Sequence, residues 1–118
     1  VRVTEALAEQ LEAGDDALVA VTSSHMGSIA DIVAPGSYYY RSSKAALNAA
    51  FKGIAEELAP KGIAVILLHP GAVRTRMGGP ESALSTRQSV TAMRRVVGRV
   101  GMADSGGFFR YDGRRLPW

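Results

Sequence analysis

The chain has 118 residues, of which 47% are apolar and 21% charged, which is enough for one small folded domain and excludes global disorder. It has no cysteine, which rules out disulfides and thiolate metal sites, and its two histidines, His25 and His69, cannot complete a zinc site without carboxylates. The net charge is +3 and the pI about 9.6, yet the arginines fall in scattered groups with no interleaved aromatic ladder, a pattern that speaks against nucleic acid.

From Val1 to about Glu12 the spacing of Val3, Leu7 and Leu11 predicts a helix. It enters its periodic pattern at once, without an N-cap, and is read as the interior of a helix that begins elsewhere. Gly14-Asp15-Asp16 then turns the chain into Ala17-Leu18-Val19-Ala20-Val21-Thr22, a buried strand that ends in Ser23-Ser24. A hydroxyl at the carboxyl end of such a strand sits where open α/β sheets bind ligands. Residues 24–37 contain Gly27, Pro35 and Gly36 and read as a loop, in which His25, Met26 and Ile29 are candidate pocket residues.

The longest periodic segment follows, from Tyr38 to Ala59, with Ser37 as the expected N-cap and Pro60-Lys61-Gly62 as the stop. Tyr40, Lys44, Leu47, Phe51, Ile54 and Leu58 recur at intervals of three or four, so Tyr40 and Lys44 begin a core-facing stripe, one turn apart. A phenol titrates near pH ~10, and an ammonium a few ångströms away favours its phenolate, which makes the pair a candidate for proton transfer to or from an alcohol or carbonyl oxygen.

Ile63 to His69 is a second apolar strand, broken by Pro70-Gly71 and followed by Ala72-Val73-Arg74-Thr75. Strand, helix and wholly apolar strand together predict a parallel sheet buried on both faces. Residues 76–85 form a loop in which Met77 and Leu84 are candidate lining residues. A helix is expected from about Arg87 to Arg99, with Val90, Met93, Val97 and Val100 on its buried stripe, and a last strand at residues 108–111 turns at Asp112-Gly113.

Ser24, then Tyr40-x-x-x-Lys44, then Pro70-Gly71-x-Val73-x-Thr75, in that order, resembles the second half of the short-chain dehydrogenase/reductase family. The surrounding words are nearest to its sniffer-like and C-factor-like carbonyl reductase branch. The resemblance implies the C-terminal half of a doubly wound, Rossmann-type α/β domain, with Tyr40 as proton donor or acceptor. It gives Lys44 the nicotinamide ribose and Ser24 the substrate carbonyl, with Ser23 as rival for the serine role. It also implies an NADP or NAD cofactor, NADP slightly preferred, positioned by Tyr40, Lys44, Pro70, Gly71, Val73 and Thr75. A homo-oligomer through the helices at 1–12 and 38–59, a small carbonyl or alcohol substrate and a cytoplasmic location complete the expectation.

No glycine-rich turn of the kind that cradles a pyrophosphate lies between a strand and a helix in this sequence, and the family's Asn-Asn-Ala-Gly strand end is also missing. The sequence is therefore read as part of a longer reductase, with an exposed sheet edge that makes it a poor folder by itself. Two rival readings are a truncated, non-catalytic remnant that dimerises or regulates, and a sugar-nucleotide epimerase or dehydratase that also uses Tyr-x-x-x-Lys. The Pro70-Gly71-x-Val73-x-Thr75 pattern disfavours the second.

Overall fold

The computed structural model describes all residues from Val1 to Trp118. Three parallel strands form the sheet in the order β1 (Leu18–Thr22), β2 (Ala64–His69) and β3 (Gly107–Arg110). Leu18 pairs with Ala64 at one end of the β1–β2 ladder and Thr22 with Leu68 at the other; on the far side of β2, Ile66 pairs with Gly107 and His69 with Arg110.

Side chains alternate along a strand, and the continuous apolar run of the central strand feeds two cores at once. Ile63, Val65 and Leu67 pack on one face with Phe51, Ala55 and Leu58 of the long helix and with Phe108 and Leu116. Ile66 and Leu68 pack on the other face with Phe109 and Val96. Each fully buried side chain of this size contributes about 1.5–3 kcal/mol, so β2 anchors the molecule. β1 is an edge strand, half-buried at Leu18, Val19 and Val21 and exposed at Ala20 and Thr22.

Four helices surround the sheet: α1 (Arg2–Ala6), α2 (Ala8–Glu12), α3 (Tyr38–Leu58) and α4 (Thr86–Val97). α3 stops where expected, with Pro60 in a short 3₁₀ turn and Gly62 in the left-handed conformation at φ 71°. α4 opens with a capping box, in which Ser85 Oγ accepts from the Gln88 amide and Gln88 Oε1 accepts from the Ser85 amide.

Four expectations need correction. The segment 1–12 is two five-residue helices interrupted at Leu7, and neither buries a residue, because Val3 and Leu7 face solvent and only Leu11 reaches the core. Short helices without a packed face stay marginal. Ser37 occupies the N-cap position of α3, but at φ 55° its side chain caps nothing. The loop after Ser24 contains a 3₁₀ turn at His25–Gly27. The buried stripe of α4 is Ser89, Met93, Val96 and Val100, with Val90 and Val97 exposed. Both stripes have helical spacing, and the sheet selected the one with a serine in it.

Candidate functional site

A cavity of about 700 Å³ opens at the carboxyl ends of β1 and β2, where an open α/β sheet offers its crevice. Ser24 and Tyr40 stand on its wall with Pro70, Gly71, Val73 and Thr75, so six of the seven expected site residues share one space. The seventh, Lys44, lies one turn further along α3, half-buried behind Tyr40, with its ammonium 5.8 Å from the centre of the tyrosine ring. That placement is an ordinary cation–π contact. Tyr40 is 37% exposed.

The two serines both border the cavity but are bonded differently. Ser23 turns inward and its hydroxyl donates to Asn48 Oδ1 at 2.5 Å, tying the end of β1 to α3. Asn48 is 2% exposed and its Nδ2 has no partner. Ser24 Oγ accepts from the Met26 amide at 3.2 Å and so caps the 3₁₀ turn, which leaves its own O–H free to donate. Gly27 closes this turn against α3: a Cβ there would stand 2.8 Å from the Lys44 carbonyl and from Asn48 Nδ2.

The opposite wall is the Pro70-Gly71 corner. Gly71 has φ 83°, and a Cβ would strike Leu84 and Tyr111, so only glycine fits. Ser89 of α4 donates to the Pro70 carbonyl at 2.7 Å. Paired backbone bonds from Arg74 to Leu84 and from Leu84 to Ala72 hold the following lip in shape. Thr75 Oγ1 accepts from the Gly78 amide at 3.1 Å and, like Ser24, keeps a donor for the cavity. Met77 lines the cavity as expected, whereas Leu84 sits beneath Gly71. Of the loop candidates, His25 and Met26 line it and Ile29 faces a neighbouring cleft.

Asn48, Ser89 and the pairing of His25 with His69 belong to no motif in the sequence. Ser89 was detectable as a polar member of an otherwise apolar stripe. The histidines, 44 residues apart, meet with His25 Nδ1 3.2 Å from His69 Nε2 and ring centres 4.6 Å apart. His69 Nδ1 is buried without a partner. Burial, with repulsion from His25 and Arg110, pushes the His69 pKa down to about 4 and holds the ring neutral. No group of three or more His, Asp or Glu side chains is placed to hold a metal ion, and no helix is long and apolar enough to cross a membrane.

The profile of the short chain dehydrogenase family matches residues 1–85. The chain belongs to the short-chain dehydrogenase/reductase family. It is 44% identical to the C-signal protein of Myxococcus xanthus over 117 residues, covering 99% of this chain and 70% of that relative. The carbonyl reductase Sniffer of D. melanogaster superposes with a TM-score of 0.91 at 33% identity, over 98% of this chain and 51% of Sniffer. The NADPH-bound carbonyl reductase from chicken fatty liver does so with a TM-score of 0.90 at 29% identity, again over 98% and 51%. This chain thus spans about half the length of those two structures. Its fold is a Rossmann-type α/β arrangement of the sniffer-like carbonyl reductase branch.

Proposed function

We propose that this chain supplies the substrate-side half of an NAD(P)-dependent carbonyl reductase or alcohol dehydrogenase, with Tyr40 as general acid and base. The observation that carries the proposal is the gathering of Ser24, Tyr40, Pro70, Gly71, Val73 and Thr75 around a single cavity from three separate stretches of sequence.

The residues suit a nicotinamide ribose. Two hydroxyls with free donors, Ser24 and Thr75, and a partly exposed phenol border a corner where glycine leaves room for close approach. Tyr40, Lys44, Pro70, Gly71, Val73 and Thr75 would hold the group, which when bound supplies or accepts a hydride at C4. NADP is preferred slightly over NAD, in line with the NADPH held by the chicken carbonyl reductase.

The remaining chemistry belongs to the protein. Ser24 donates its hydroxyl hydrogen to the substrate oxygen and fixes the carbonyl beside Tyr40, a donor aimed where negative charge develops. In the reductive direction Tyr40 transfers its phenolic proton to that oxygen, and in the oxidative direction it takes the alcohol proton back. Lys44, one helical turn behind Tyr40, would direct its ammonium to the nicotinamide ribose. The Met26, Val73, Met77 and Met93 side chains line the cavity and limit the water around the reacting centre.

The domain is proposed to be completed by a glycine-rich cofactor-binding half lying before residue 1 in the family's order. The proposed partner is a second copy, through α1, α2 and α3, whose outward residues include Val3, Leu7, Ala46, Ala49 and Gly53. The test is a titration of the complete protein with NADPH, followed by nicotinamide fluorescence and by carbonyl-dependent oxidation. Saturable binding with turnover that is lost in Tyr40→Phe and Lys44→Ala supports the reading. Binding without turnover of any aldehyde, ketone or alcohol overturns it.

A further inference from the structure

One feature of the cavity has no part in that chemistry: the His25–His69 contact. His25 follows Ser24 directly and lines the same wall, open to solvent, while His69 closes β2 immediately before the Pro70-Gly71 corner. At 3.2 Å one imidazole must donate and the other accept, so the pair has two possible neutral arrangements.

The buried end of the pair distinguishes them. If His25 donated, the hydrogen on His69 would sit on Nδ1, which is buried and has no acceptor. If His69 donates through Nε2, its Nδ1 is an unpaired lone pair. Buried orphan N–H groups are rarer in proteins than under-satisfied acceptors, and the nearby Arg110 guanidinium further favours an uncharged His69. The second arrangement leaves the hydrogen of His25 on Nε2, on the far side of its ring from His69.

We propose that His25 is a substrate-specificity residue, held by the positioning residue His69 so that its Nε2–H donates to a second oxygen of the substrate while Ser24 and Tyr40 hold the reacting carbonyl. The proposal rests on the oxidoreductase reading above and narrows it to a substrate class: carbonyl compounds with a second acceptor close by, such as β-keto esters and keto acids, in preference to simple ketones. The rest of the wall fits the remainder of such a molecule. Met26, Val73, Met77, Val90 and Met93 offer an apolar surface in the same cavity. A single hydrogen bond of about 1–1.5 kcal/mol corresponds to five- to tenfold in relative kcat/KM.

The experiment compares ethyl 3-oxobutanoate with the chain-matched ketone 2-heptanone, using the complete protein supplied with NADPH. The wild type is expected to favour the keto ester. His25→Ala is expected to lower the ratio of the two kcat/KM values about fivefold or more, mainly through KM of the keto ester, and His25→Gln, which keeps an N–H donor, to restore most of it. His69→Ala is expected to shift the ratio the same way and His69→Gln to recover it. In parallel, nitrogen-15 NMR of the imidazoles reads the tautomers without any turnover, and the expected signals are Nε2–H for both rings. Reduction of both substrates with an unchanged ratio in His25→Ala overturns the inference and leaves the oxidoreductase reading intact. A neutral His25 carrying its hydrogen on Nδ1 has the same consequence. Absence of reduction of every carbonyl tested, with NADPH bound, overturns the oxidoreductase reading and the inference with it.

Discussion

Ser23 and Ser24 are adjacent, alike and both buried, yet they should fail in opposite ways. Ser23→Ala removes the only partner of Asn48 Oδ1, and Asn48 Nδ2 already has none, so the change strands a whole amide at 2% exposure. An orphaned buried polar group costs about 1–3 kcal/mol. The expected loss is about 2 kcal/mol, read as a lower urea midpoint at constant slope and a Tm lower by roughly 2–8 °C per kcal/mol, according to the size of the cooperative unit. Replacing both partners by apolar groups, in Ser23→Ala/Asn48→Leu, should regain much of that loss, giving a coupling energy of about 1 kcal/mol or more. Ser24→Ala removes one capping hydrogen bond at the protein surface of the cavity and should cost only about 0.5–1 kcal/mol. Under the proposed function its effect belongs in catalysis, with kcat/KM for carbonyl reduction expected to fall about 100-fold or more. Chemical denaturation and steady-state kinetics on these three variants, with Asn48→Leu alone to close the cycle, settle the division. If Ser23→Ala proves as stable as wild type, or if it rather than Ser24→Ala removes the activity, the assignment of the two hydroxyls is wrong.

Other outcomes follow from the same geometry. Tyr40→Phe removes the proposed proton donor without disturbing the core and should reduce turnover by about 100- to 10,000-fold with NADPH binding retained, as measured by fluorescence titration. Gly27→Ala places a methyl 2.8 Å from the backbone of Lys44, which cannot move aside like a side chain, so stability should fall by about 1–3 kcal/mol and Ser24 should shift with the turn it caps. Val96→Ala should be clearly destabilising, by about 1–3 kcal/mol, whereas Val97→Ala should lie within about 0.5 kcal/mol of wild type by thermal melting. His69 titrates near 4 in the fold and near 6.5 when unfolded, so the unfolded chain binds more protons between those values. Its contribution therefore makes stability rise from pH 4 to 6.5 and level off above, and urea midpoints across that range should show a shallower slope in His69→Gln.

Much of the site could be read from residue order alone. Tyr40 and Lys44 are four apart on a helix, so their proximity follows from backbone geometry. The apolar runs at 17–22 and 63–69 specify parallel strands, of which only the second is buried while the first lies half-buried at the sheet edge, and Gly62 and Pro60 specify where α3 ends, because those residues act through their own backbone preferences.

The remainder needed three dimensions. Ser23 and Ser24 are distinguished only by which of them meets Asn48, 25 residues away. α4 carries two valines in succession, and either fits a helical stripe; the choice of Val96 comes from the sheet face formed by Ile66, Leu68 and Phe109. Val3, Leu7 and Leu11 have helical spacing, yet the segment breaks at Leu7, since local periodicity cannot provide the surface on which a helix packs. The His25–His69 contact, finally, exists because two parallel strands end at the same edge and bring the residues beyond them together. Contacts within a turn or two are written in the chain, and contacts between elements are written in the way the chain folds over them.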